Sequence, residues 1–437
     1  MSRMNAVKIT PKSQLAGTVR LPGDKSISHR AAMFAAIAEG TSRIENFASS
    51  ADCASTLQCI EKLGVRIERE GTTVVVHGVG NKGLQKPDSE LDCGNSGTTM
   101  RLISGILAGQ NFSSTLTGDE SLSGRPMKRI IGPLTEMGAT ITAVEGHAPL
   151  LIDGRNPLKA IEFELPVASA QLKSCVLLAG LNADGETTVI EPVPTRDHTE
   201  RMLRGFGVEV REEAGFNGKR ISVSGRSRLT GTNIQVPGDV SSAAFFLVAA
   251  TCLTGSRVEM PGVGLNPTRT GIIEVLRHFG ASIETADETV SGGEPIGTII
   301  VEGRSRLGSR ENTIRGSIVA NLIDEVPILA VFGTQVEGGI EIRDAGELRI
   351  KESDRIAAVA KNLRKMGAGV QEFEDGLKVE RSQLRATILD SFGDHRIAMA
   401  FAVAGLFAEG ETAIRGAECA AVSFPDFFDI LASVSHG

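Results

Sequence analysis

Apolar positions along this chain come in blocks. Six times a small polar cluster opens a helix-length apolar run, glycine interrupts it, and a strand-like alternation follows. The runs begin near Ser26, Gly97, Ser169, Ser241, Ile323 and Asp394, at intervals of 71, 72, 72, 82 and 71 residues. After each of the first five comes a second, amphipathic pattern, such as STLQCIEKLG or GIIEVLRHFG. These close on Gly64, Gly138, Gly207, Gly280 and Gly367. Glycine just past a 3.6-residue period is the expected left-handed helix stop. The VRIE and ATIT alternations that follow predict strands. The sixth block ends differently, in SFPDFFDILASV.

Each block therefore reads as helix–strand–helix–strands, with too little core to stand alone. Stacked three to a domain, the blocks predict an α/β protein of two similar domains. Leu21-Pro22-Gly23-Asp24 and Val236-Pro237-Gly238-Asp239 are closely similar and mark the two crossings, which read as hinges. The expected domains are residues 22–239 and residues 1–21 plus 240–437, the N-terminal strand joining the C-terminal half.

Composition narrows the function. Hydrophobic and charged contents of 41% and 23% are those of a soluble globular protein. The apolar run near Ala243–Leu253 is too short to span a bilayer, and the N-terminus lacks a secretory pattern. No membrane partner is expected, and the cytoplasm is the expected compartment. Six cysteines without C-x-x-C spacing read as reduced thiols, and seven unclustered histidines give no metal site. A net charge of −7 and the lack of Tyr and Trp argue against nucleic acid. The match of GVGNKG (78–83) to G-x-G-x-x-G is not followed by a helix pattern and reads as a turn.

The helix starts carry the chemistry. Lys25, Ser26 and Arg30 open the first; Asn95, Ser96, Thr98 and Arg101 the second; Ser169, Gln171 and Lys173 the third. Asp324 and Glu325 open the fifth, Asp394, His395 and Arg396 the sixth. Ser, Thr, Asn and Asp at such places are ordinary caps. Cations there oppose the helix dipole unless an anion lies between. Seven do so: Lys25, Arg30, Arg125, Arg196, Lys351, Arg355 and Arg396. They predict a bound polyanion. Asp24 and Asp52 read as caps or ion-pair partners, and His29, His198 and His395 as structural. Asp324 and Glu352, carboxylates amid cations, suit a general base and a general acid. The competing reading is ion pairing with Lys351 or Arg355.

PGDKSISHR (22–30), CGNSGTTMRL (93–102), SLSGRPM (121–127), SAQLKS (169–174), ELRIKESDR (347–355) and DHRIAMAF (394–401) together resemble the EPSP synthase family over essentially the whole chain. GDKS (23–26), SAQLK (169–173), RDHTE (196–200) and NPTR (266–269) resemble its second class, which includes many glyphosate-tolerant members. The resemblance implies two inverse α/β domains, each of three βαβαββ units. It implies transfer of the enolpyruvyl group of phosphoenolpyruvate to the 5-hydroxyl of shikimate 3-phosphate, with no cofactor; a monomer is expected. It places shikimate 3-phosphate on Lys25, Ser26, Arg30, Ser169, Ala170, Gln171, Arg196, Asp324 and Lys351. Phosphoenolpyruvate falls to Lys25, Asn95, Gly97, Arg125, Gln171, Arg355 and Arg396. Asp324 is the implied proton acceptor and Glu352 the implied acid, a role Lys25 can share. Domain closure is implied to exclude water.

Val422, Glu347 and Arg196 depart from the first class, which has Lys, Asn and Ser in those regions. The nearest rival, the UDP-N-acetylglucosamine enolpyruvyl transferase family, has Lys-Asn where this chain has Lys25-Ser26, and a Cys in the loop matching SLSGRPM. A non-catalytic phosphometabolite sensor is the rival from another class; it would not need Asp324 and Glu352.

Overall fold

The computed structural model describes residues 6–225 and 227–437. The first five residues of the expected N-terminal strand lie outside them. The chain separates into two compact units. One is Gly23–Pro237 with Val290–Glu294; the other is the chain up to Pro22 with Gly238–Thr289 and Pro295–Gly437.

Within the first unit, each apolar run forms a helix: Lys25–Ile37, Gly97–Ala108 and Ala170–Gly180. All three are buried almost all round, as expected of central core helices. Gly105 makes one close approach possible: a Cβ there would lie 2.3 Å from the Cys175 carbonyl oxygen. Phe34 packs edge-on against Phe206 at 5.9 Å. Burying such a ring contributes about 1.5–3 kcal/mol. The equivalent helices of the second unit are Val240–Cys252, Val326–Gly333 and His395–Leu406.

The sheets repeat one topology. In the third block, Glu162–Glu164 runs parallel to Glu186–Glu191, which pairs antiparallel with Gly218–Ser224, which pairs antiparallel with Val210–Gly215. The second and fifth blocks follow the same order. In the first, the parallel entry strand is Asn233–Gln235, from the end of the third block. In the fourth it is Gln14–Thr18, which pairs with Arg257–Glu259. Val7–Ile9 joins the sixth sheet through Thr412–Ile414. That sheet has three strands, and its second helix is replaced by a 3-10 turn, Ala417–Val422, and the helix Phe427–Val434.

The five closing glycines all take positive φ, between 85° and 104°. The Pro-Gly-Asp crossings exchange backbone bonds: Asp24 N–H to Pro237 O at 2.7 Å and Asp239 N–H to Pro22 O at 3.0 Å. Compared with the expected boundaries, Pro22, Gly238 and Asp239 change sides, and so does Val290–Glu294, the tip of the hairpin Ser282–Ser291/Glu294–Glu302. The tip moves because its polar groups are satisfied there. Ser291 Oγ accepts from the Gln235 N–H at 2.8 Å, and Glu294 lies 2.8 Å from His198 Nδ1. All six cysteines are free thiols. No helix among the described residues is long and apolar enough to cross a membrane.

Candidate active site

The expected site residues fall into two sets, one in each unit. In the first, Asp24 caps the helix Lys25–Ile37 by accepting from Ile27 N–H at 2.9 Å, and Lys25 pairs with Asp52 at 3.1 Å. Arg30 is buried. Its guanidinium donates to Ser26 O at 3.0 Å, Thr199 Oγ1 at 2.8 Å and Ser174 Oγ at 2.9 Å. Burial is the main reason its pKa falls to about 10, against the pull of Glu200, and nearby Arg196 adds to the fall.

At the next helix start, Ser96 caps Thr99, and Arg125 donates to Asn95 Oδ1 at 2.7 Å. Ser169 caps Leu172 at 3.3 Å, which brings Ala170 and Gln171 into the first turn. Gln171 donates to Thr98 Oγ1 at 2.9 Å and accepts from Arg101 at 2.7 Å. The sequence marks Arg101 only as a residue opening this helix. Its partner lies 70 residues away, so no local pattern reports the contact.

His29 is fully buried. Its Nδ1 lies 2.6 Å from Thr56 Oγ1, while Nε2 is buried without a partner. Burial above all, helped by Lys25 and Arg30 against Asp52, lowers its pKa from 6.5 to about 3. Below pH 6.5 the unfolded chain takes up a proton that the folded chain refuses. Stability should therefore fall as pH drops from 6.5 toward 3, by about 1.4 kcal/mol per pH unit from this group. Denaturant titrations across that window should show a shallower acid slope in His29→Gln; an unchanged slope would remove His29 as the cause.

In the second unit, one side chain organises the set. Arg355 is 1% exposed. Its Nε donates to Asp394 at 2.8 Å, Nη1 to Asp324 at 3.3 Å and Nη2 to Glu352 at 2.6 Å. Burial works against the charge, but the three carboxylates outweigh it and raise its pKa. Burial also opposes the Asp394 carboxylate, yet Arg355 and His395 hold its pKa below the ordinary value. Asp394 caps its own helix through the Arg396 N–H at 2.9 Å and accepts from Ser353 at 3.1 Å. Arg396 donates to Asp324 O at 3.0 Å. The expected pairing partners thus divide: Arg355 takes both acids, while Lys351 turns to Glu347 at 3.0 Å.

Asp324 and Glu352 are thus both ion-pair partners of Arg355, as the competing reading expects. The family model described as EPSP synthase (3-phosphoshikimate 1-carboxyvinyltransferase) matches residues 9–431. The chain belongs to the EPSP synthase family. It is 52% identical over 430 residues to the 3-phosphoshikimate 1-carboxyvinyltransferase of Solibacter usitatus, covering 98% of this chain and 99% of that protein. It is 55% identical over 424 residues to the protein of that name from Pelotomaculum thermopropionicum, covering 96% of each. An EPSP synthase structure from Acinetobacter baumannii superposes with a TM-score of 0.89 at 46% identity, covering 98% of both chains. The two-domain α/β enolpyruvyl transferase fold of the EPSP synthases is thus the fold of this chain.

Proposed function

We infer that the protein transfers the enolpyruvyl group of phosphoenolpyruvate to the 5-hydroxyl of shikimate 3-phosphate, releasing phosphate. The product, 5-enolpyruvylshikimate 3-phosphate, belongs to the route to chorismate and the aromatic amino acids. The observation that carries this reading is full-length identity of about half to enzymes of that name, in a chain with two acids on Arg355. We read the protein as a cytoplasmic monomer.

The substrates carry two phosphates and two carboxylates, which suits planar, bidentate arginines. Lys25, Ser26, Arg30, Ser169, Ala170, Gln171, Arg196 and Lys351 are proposed to hold shikimate 3-phosphate. Lys25, Asn95, Gly97, Arg125, Gln171, Arg355 and Arg396 are proposed to hold phosphoenolpyruvate. Asp324 takes the proton of the 5-hydroxyl as its oxygen bonds to C2 of phosphoenolpyruvate. Glu352, with Lys25 able to share the role, protonates C3. The resulting tetrahedral phospho-ketal loses phosphate, and a proton leaves the methyl group to restore the double bond. Phosphate release by the purified protein should require both substrates. Turnover with UDP-N-acetylglucosamine in place of shikimate 3-phosphate would overturn the assignment.

Gly97 gives a sharper test. A Cβ there would lie 2.7 Å from Arg101 Nη1 and 3.5 Å from Arg125 Nη1. A methyl group therefore pushes the Arg101 guanidinium, the group that orients Gln171. Glyphosate, taken to occupy the phosphoenolpyruvate pocket, is the longer molecule and has less room to yield. The enzyme with Gly97 in place should be measurably inhibited. A differential clash of about 1.4 kcal/mol in Gly97→Ala weakens inhibitor about tenfold more than substrate. Inhibitor titrations at several phosphoenolpyruvate concentrations measure both constants, and equal losses would remove Gly97 as the discriminating residue.

A further inference from the structure

Behind the anion-binding set of the Gly23–Pro237 unit lies a group of buried charges that the reaction does not use directly. Lys173, on the helix Ala170–Gly180, has no exposed side-chain surface. Its ammonium lies 2.8 Å from Glu191 Oε1 and 2.7 Å from Glu200 Oε1, and both carboxylates are buried. Burial opposes the ammonium charge, but the two carboxylates outweigh it and raise its pKa.

Glu191 ends the strand Glu186–Glu191, and Glu200 lies in the first turn of the helix His198–Gly205. Between them runs the segment Pro192-Val193-Pro194-Thr195-Arg196-Asp197, which forms neither helix nor strand. One ammonium thus closes the base of the loop that carries Arg196. Thr195 adds a second tie, its N–H donating to Glu191 Oε1 at 2.9 Å.

The residues next in sequence connect this clamp to Arg30. Ser174 follows Lys173 and Thr199 precedes Glu200. Their hydroxyls lie 2.6 Å apart, and both accept from the Arg30 guanidinium. A shift of Glu200 away from Lys173 therefore carries Thr199 with it and loosens Arg30. Lys173 faces Glu191 and Glu200, and burial raises the Glu200 pKa against the pull of Lys173, while Glu200, Asp24 and Glu294 act together on Arg30. A buried ion pair is often no more stabilising than an apolar replacement, and its better-attested use is to fix one arrangement.

We propose that Lys173 is a positioning residue for shikimate 3-phosphate, setting the Arg196 loop through Glu191 and Glu200 and setting Arg30 through Thr199 and Ser174. The proposal rests on reading Arg30 and Arg196 as ligands of that substrate. A misplaced binding group costs up to about 100-fold, so Lys173→Met should raise KM for shikimate 3-phosphate by about 10- to 100-fold. KM for phosphoenolpyruvate and kcat should change little.

The deciding variant is Lys173→Met with Glu191→Gln, which removes one buried charge of each sign and leaves Glu200 facing Arg30. It should recover the thermal midpoint of the parent and keep the raised KM for shikimate 3-phosphate. Recovery of both would make the cluster structural and overturn the proposal. Should Lys173→Met not fold, Glu200→Gln, which keeps the side-chain shape, carries the same expectation for KM. Arg196→Ala separates the two readings: a normal KM for shikimate 3-phosphate there overturns the ligand assignment of Arg196 and the proposal with it.

Discussion

Asp324→Asn and Glu352→Gln should each slow turnover by about 100- to 10,000-fold, the range of a general acid–base group. Binding should change little. Each amide keeps the shape of its carboxylate, and Arg355 retains two carboxylates in either variant. The fold should therefore survive, and the loss should appear in single-turnover rates with both substrates saturating. If the acids served only to neutralise Arg355, the opposite pattern would be measured: a lower unfolding midpoint with near-normal turnover. That result would return Asp324 and Glu352 to a structural role.

Replacing Arg355 should be more damaging, because stability and chemistry meet in that side chain. Asp394 has no exposed side-chain surface and depends on the Arg355 Nε–H as well as Ser353. Arg355→Met leaves that carboxylate buried beside one lost partner, at a cost of about 3–5 kcal/mol. Arg355→Lys keeps a charge but has no planar fork to reach three carboxylates. It should fold better than the Met variant and still lose most activity, since Asp324 and Glu352 are no longer held in one geometry. Chemical unfolding followed together with phosphate release separates the two effects. A Met variant as stable as the parent would show that Asp394 does not rely on Arg355.

Much of this architecture was legible along the chain, for a physical reason. Helix stops need positive φ, and glycine marks them at Gly64, Gly138, Gly207, Gly280 and Gly367. The apolar runs are hydrophobic on every side because the helices they form are buried on every side. What local pattern does not carry is choice of partner. Lys351 and Arg355 flank Glu352 in sequence, and only the fold sends one to Glu347 and the other to Glu352. Asp394 looked like a cap, which it is, but its grip on Arg355 spans 39 residues. The expected domain range 240–437 takes in Val290–Glu294, but Ser291 and Glu294 find their partners at Gln235 and His198.

The strand Gln14–Thr18 has a consequence for synthesis. Its parallel partner begins at Arg257, so about 240 residues must be made before the two can meet. At typical elongation rates that is a wait of about 10 to 50 s. During it, the residues of the Gly23–Pro237 segment have all been translated while this strand has no sheet to join. An unpaired strand is an invitation to the wrong neighbour. This one is only five residues long, polar at both ends, with Gly17 at φ 127° in its interior. It is a poor template for any edge but its own, which suits a segment that must emerge early and pair late.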